Sequence, residues 1–145
     1  MTFTSSSLSG NSATGNGGGL ANVDTPSGTA PAATFTRSPV SNNTALLSGG
    51  GIYNGLRATL TTNGVSGSPM VISGNSATQR GGGIAAVGST ATTLTQTAVT
   101  TNNAVLDAGG VYRQGGTMTT TNSPISANTV NNCLGSVPAV PTCTG

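Results

Sequence analysis

Apolar residues return along this chain in two alternating settings. In the first, one apolar residue stands between threonines: Thr2-Phe3-Thr4, Thr34-Phe35-Thr36, Thr59-Leu60-Thr61, Thr93-Leu94-Thr95 and Thr117-Met118-Thr119. Alternation at period two sets Phe3, Phe35, Leu60, Leu94 and Met118 on one face and the threonines on the other, the pattern of a half-buried strand. In the second, Leu8, Val40, Ile72, Val99 and Ile125 open a phrase of the form apolar-Ser/Thr-x-Asn-polar-small. This predicts a second short strand that ends in a turn at Asn11, Asn43, Asn75, Asn102 and Asn128.

Six residues beyond each of the first four asparagines lies a glycine cluster. The clusters are Gly17-Gly18-Gly19, Gly49-Gly50-Gly51, Gly81-Gly82-Gly83 and, with alanine leading, Ala108-Gly109-Gly110. Glycine's access to positive φ suits a tight corner, after which Leu20, Ile52, Ile84 or Val111 starts a third strand. Three strands and three corners then make one coil, and successive asparagines fall 32, 32, 27 and 26 residues apart. The unequal lengths place insertions at the corners, over residues 23–33 and 63–69. One coil has no core of its own, but coils stacked about 4.8 Å apart bury columns of Leu, Ile, Val and Phe. The expected fold is all-β, a single-stranded parallel β-helix (solenoid) of about five coils over residues 1–132, with residues 133–145 as a capping tail. The recurrent asparagine is expected to form an internal structural ladder, the alternative being a ligand contact.

Composition changes the picture mainly through what is missing. There is no His, Lys, Glu or Trp; Asp24 and Asp107 are the acids, and Arg37, Arg57, Arg80 and Arg113 the bases. General acid/base catalysis, nucleophile activation and metal capture work with sets of such residues, and no set can be assembled. The expectation is a non-enzyme that needs no metal or cofactor. The net charge of +2 comes from scattered arginines without an aromatic-basic stripe, so nucleic acid is not an expected partner. Abundant Gly, Ser, Thr and Asn with little charge would suit disorder, but disordered tracts do not hold apolar residues in phase across repeats. No apolar run is long enough to span a bilayer, and the first residues lack a secretory signal pattern. Cys133 and Cys143 lie in a Pro-containing stretch; paired, they would close a small terminal loop and point to an extracytoplasmic setting, the alternative being two free thiols.

Taken together, Thr59-Leu60-Thr61, Ile72-Ser73-Gly74-Asn75-Ser76-Ala77 and Gly81-Gly82-Gly83-Ile84 resemble the right-handed parallel β-helix repeats of secreted bacterial surface proteins, including polymorphic outer-membrane protein passengers. The resemblance runs from Thr2 to about Asn132, and the ending around Cys133 and Cys143 is similar to the tails of other secreted β-helix repeat proteins, where it would serve as a cap. Those passengers carry Gly-Gly-Ala-Ile and Phe-x-x-Asn motifs. Here Gly83 stands for the alanine, and Leu8, Val40, Ile72, Val99 and Ile125 for the phenylalanine. The resemblance implies an extracellular or cell-surface setting.

Three functions compete on this basis. The first is a structural or adhesive surface module that displays loops or joins copies of itself through the edge of its first coil, with a fibre neighbour, a surface glycan or a host protein as partner. The second is ice binding, since the outward Thr2, Thr4, Thr34, Thr36, Thr59, Thr61, Thr93, Thr95, Thr117 and Thr119 would make a regular two-column array. Against it, threonine is common on strands for β-propensity alone, and uneven corner insertions work against flatness. The third is a polysaccharide-degrading enzyme, which would need clustered carboxylates that Asp24 and Asp107 do not promise. The arginines are expected to be scattered and solvated, and Tyr53 and Tyr112 to face outward beside their inward neighbours.

Overall fold

The computed structural model describes residues 1–25 and 28–145; Pro26 and Ser27, within the first expected insertion, lie outside the described residues. Coil 1 holds β1 (Thr2–Thr4), β2 (Leu8–Ser9), β3 (Ser12–Ala13) and β4 (Leu20–Asn22). Coil 2 holds β5 (Ala32–Thr36), β6 (Val40–Ser41), β7 (Thr44–Ala45) and β8 (Ile52–Asn54). Coil 3 repeats the order with β9 (Thr59–Asn63), β10 (Met70–Ser73), β11 (Ser76–Ala77) and β12 (Ile84–Val87). Coil 4 follows with β13 (Ala91–Thr95), β14 (Thr97–Thr100), β15 (Asn103–Ala104) and β16 (Val111–Gln114), and coil 5 adds β17 (Thr117–Thr121) and β18 (Ile125–Ser126). The strands of each phase pair in parallel, giving sheet A (β1-β5-β9-β13-β17), sheet B (β2-β6-β10-β14-β18), sheet C (β3-β7-β11-β15) and sheet D (β4-β8-β12-β16).

The parallel β-solenoid expected from the repeats is therefore present, with two corrections. It has four complete coils and a partial fifth, because the chain turns into its capping tail after β18. Each coil has four strands instead of three, because the asparagine phrase bends at its centre. The apolar residue opens a sheet B strand, the asparagine turns the corner, and the closing small residue lies in sheet C, where Ala13, Ala45, Ala77 and Ala104 are in register. The residue just before each asparagine takes positive φ, at Gly10, Asn42, Gly74, Thr101 and Ala127.

Buried side chains form continuous columns. Leu8, Val40, Ile72, Val99 and Ile125 align on sheet B, and Leu20, Ile52, Ile84 and Val111 on sheet D. The apolar residues of the Thr-x-Thr triplets all point inward but do not share one column, which corrects the simplest reading. Phe3 and Phe35, stacked at 4.4 Å, align with Thr62 and Leu94, whereas Leu60 aligns with Ala33, Thr92 and Met118. The triplets of coils 3 and 5 are slid by two residues, a shift that keeps every side chain on its own face. The slide leaves Thr62 and Thr92 fully inside, where the Thr62 hydroxyl bonds that of Thr97 at 2.8 Å and the Thr92 hydroxyl accepts from Asn54 Nδ2 at 3.0 Å.

At the corner between sheets C and D adjacent coils pack backbone to backbone. The leading residue of each cluster, Gly17, Gly49, Gly81 or Ala108, takes positive φ and makes the turn. The middle and last glycines answer to space instead. A Cβ on Gly50 would strike the carbonyl oxygens of Ser76 and Gly82, and one on Gly82 those of Asn103 and Gly109, because adjacent coils touch backbone to backbone. A Cβ on Gly51 would fall 3.1 Å from the Asn75 amide of the next coil, and one on Gly83 3.0 Å from Asn102 Nδ2.

At the downstream end residues 133–145 fold over the last coil. The Cys133–Cys143 disulfide is present, and Cys133 and Val140 are buried with the core columns. Closing a loop of this length stabilises the fold by about 3 kcal/mol in the chain-entropy description. Arg113 fixes the tail by donating from Nη1 to Ala139 O at 2.9 Å and from its backbone N–H to the Ser136 hydroxyl at 3.0 Å. Among the described residues no helix is long and apolar enough to cross a membrane.

Two substitutions test this packing by urea unfolding. Gly82→Ala is expected to cost about 2–3 kcal/mol through overpacking, whereas Gly15→Ala, with nothing near its added Cβ, should stay within about 0.5 kcal/mol. Equal effects at the two sites would show that the cluster glycines serve only the turn.

Candidate functional site

The most regular surface of the molecule is the outer face of sheet A. Its central column is Thr2, Thr34, Thr61, Thr93 and Thr119, one threonine from each coil. Beside it runs Thr4, Thr36, Asn63, Thr95 and Thr121, and on the other side a shorter column of Ala32, Thr59, Ala91 and Thr117. The ten threonines of the triplets are thus spread over three columns instead of two. Thr59 and Thr117 lie outside the pair of main columns because of the two-residue slide, and Thr121 joins from outside the triplets. Neighbouring hydroxyls repeat at about 4.8 Å between coils and about 6.8 Å along a strand. Among the described residues the hydroxyls of the central column have no hydrogen-bond partner, which leaves all five to solvent or ligand.

The described residues of the two insertions lie at the margins of this face. The 64–69 segment forms a small hairpin through Val65 and Ser68, and a cleft of about 380 Å³ separates it from Gln96, Ala98, Asn122 and Pro124. The hairpin therefore stands over the sheet A/sheet B corner and leans toward sheet B. The earlier insertion is held at the opposite margin, where Asp24 pairs with Arg57 at 2.8 Å and Arg57 Nη2 donates to Gly28 O at 3.1 Å. All five strands of sheet A pair without a bulge.

Inside the solenoid Asn11, Asn43, Asn75, Asn102 and Asn128 stand in one column. Each of the first four donates from its backbone N–H and from Nδ2 to the Oδ1 of the next, at 2.9–3.0 Å. A second donation from Nδ2 of Asn43, Asn75, Asn102 and Asn128 reaches the carbonyls of Leu8, Val40, Ile72 and Val99, one coil upstream. Asn43, Asn75 and Asn102 are buried, so these amides meet backbone polarity that water cannot reach. This arrangement occupies the asparagine side chains in structural bonds.

The remaining candidates are separate from one another. Asp24 is held by Arg57, while Asp107 lies at the sheet C/sheet D corner beside Asn131 and Gly135. The arginines are not uniformly solvated, which corrects their expected role: Arg57 and Arg113 hold the insertion and the tail, and Arg80 lies 5.2 Å over the ring of Tyr112. Tyr112 is itself buried, and burial raises the Tyr53 phenol above its usual pKa. The pair does not form an exposed aromatic surface.

Sequence reasoning missed a second, shorter ladder, in which Asn22 Nδ2 donates to Asn54 Oδ1 at 2.8 Å and both side chains are buried. The signal was present, since both asparagines stand two residues after the apolar residue that follows a glycine cluster. It also missed a hydroxyl series at the sheet A/sheet B corner, where Ser6, Ser38, Thr97 and Ser123 each donate to the carbonyl two residues earlier.

Residues 69–87 match the family model described as the Chlamydia polymorphic membrane protein (Chlamydia_PMP) repeat. No curated protein and no solved structure matches the chain. The matched segment covers three of the four strands of coil 3: β10, the Asn75 corner, β11, the Gly81–Gly83 cluster and β12. The chain is a parallel β-solenoid that carries a repeat of this kind.

A ladder asparagine replaced by an apolar residue of similar size should expose its importance. Asn75→Leu leaves the Asn43 N–H without its acceptor and the Val40 carbonyl without its Nδ2 donor, and is expected to cost about 3 kcal/mol or more. Urea unfolding showing a change below about 0.5 kcal/mol would contradict the ladder's structural role.

Proposed function

We propose that this chain is a non-enzymatic structural module of a bacterial surface, a rigid and nearly uncharged rod that presents sheet A and its two corner insertions outward. The observation that carries the reading is the parallel solenoid itself, with a polymorphic-membrane-protein repeat at its centre. Every asparagine column is absorbed in the frame, and the two carboxylates stand at different corners, one neutralised by Arg57. What remains outward is regular hydroxyl surface and the 64–69 hairpin, a combination suited to contact with a surface glycan or a host protein. The edge of coil 1, with four strand edges side by side, suits joining to another coil.

A second reading, ice binding, is favoured by the unbroken column of five threonines. Its hydroxyls and nearby methyl groups repeat with the spacing of the strands, and the described residues of the two insertions lie at the margins of the sheet. Asn63 is the single non-threonine of the adjoining column.

Two experiments decide between these readings. Beads coated with the chain should bind glycan or host-cell surfaces, and replacing the 64–69 hairpin by Gly-Ser should lower binding at unchanged stability. Steady turnover of acidic glycans by the purified chain would refute the non-enzymatic reading. Thermal hysteresis and ice-crystal shaping test the second: activity should vanish in Thr61→Tyr and rise in Asn63→Thr, with stability within about 0.5 kcal/mol of the parent. A parent without any effect on ice growth removes that reading.

A further inference from the structure

The asparagine ladder has a direction, and the two ends of the solenoid differ because of it. In every bond between two asparagines the donors belong to the upstream coil and the Oδ1 acceptor to the downstream one. At the upstream end the exposed Asn11 Oδ1 therefore accepts from no group in the described residues. At the downstream end Asn128 donates from its backbone N–H and from Nδ2, at 3.1 and 3.0 Å, to Oδ1 of Asn132 only four residues on.

Asn132 occupies a seat that belongs to glycine in every earlier coil. Its carbonyl accepts from the Val111 N–H just as those of Gly110, Gly83 and Gly51 accept from Ile84, Ile52 and Leu20. A Cβ on Gly110 would approach Asn132 O to 2.7 Å, as one on Gly83 would approach Gly110 O. Upstream, the missing side chain at this seat leaves room for the asparagine of the following coil. Here the side chain fills that room and supplies the acceptor itself. The donors of Asn132 are turned to the tail, with its N–H on Gly145 O and Nδ2 on Thr144 O at 3.2 Å. Thr120 Oγ1 donates to Pro141 O at 3.1 Å, and Val140 closes the end of the core.

We propose that Asn132 is the stop of the solenoid, that residues 138–145 are its cover, and that the surface beneath fits coil 1 of a second copy. The Asn11 Oδ1 of that copy is the acceptor that Asn132 replaces. Two coil 1 faces do not fit each other, because Oδ1 would meet Oδ1. Joining is therefore head to tail, and it is blocked while the cover is closed. The inference deepens the joining role given above to the coil 1 edge.

Sedimentation velocity over a hundredfold concentration range, with electron microscopy, compares the full chain with the full-length Asn132→Gly/Cys133→Ser/Cys143→Ser variant. The parent should remain monomeric, and the opened variant should form rods several molecules long. Adding Asn11→Leu should raise the concentration needed for assembly about tenfold. An opened variant that keeps its β circular-dichroism spectrum yet stays monomeric overturns the proposal, as does a parent that forms rods with its disulfide intact. If the triple variant does not fold, hydrogen exchange on the parent and on Asn132→Gly carries the test. The Asn128 N–H should be protected in the parent and exchange at least about tenfold faster in the variant, and equal rates overturn the stop. Bead binding by the parent is independent of these outcomes, so the stop can fail while the display reading stands.

Discussion

Everything in this molecule depends on how closely one coil can lie on the next at the corner between sheets C and D. Strands of two residues hold little by themselves, and no coil encloses a core without a neighbour. The coils seat because the middle glycine of each cluster lets carbonyls of adjacent coils approach, and the last glycine leaves space for an asparagine amide. That amide then does for the corner what a sheet does for a strand, giving each buried donor and acceptor a partner one coil away. Glycine cluster and asparagine are thus two halves of one device, which explains their constant separation while the other corners accept insertions.

The same constraint divides the outside of the molecule into faces of different character. Where the ladder fixes the coils, sheet registers follow, and sheet A inherits a spacing that its own residues did not have to specify. A threonine triplet can slide by two positions without disturbing its outward hydroxyls, as Thr59-Leu60-Thr61 does against Thr34-Phe35-Thr36.

Much of this was legible in the chain. The fixed interval from Asn11, Asn43, Asn75 and Asn102 to the clusters predicted stacked parallel coils, and the stretch bearing Cys133 and Cys143 marked the covered end. Three features were not legible, each for a physical reason. A strand of two residues has no period, so Ser76-Ala77 could not be told from part of a turn, and the fourth strand of each coil went unseen. Parity survives a two-residue slide, so alternation gave the correct face for Leu60 and the wrong column. Asn132 reads as one of many polar residues until its backbone is found in a glycine's place.

The central claim is that Asn43, Asn75 and Asn102 join the coils through their side chains. Amide hydrogen exchange followed by NMR tests it most directly, because the backbone N–H of these corner residues donates to a side-chain oxygen instead of a sheet carbonyl. The account predicts that these three amides exchange as slowly as those of Ile72 and Val99 in the core of sheet B. Exchange as fast as that of an unbonded, solvent-exposed amide would contradict it.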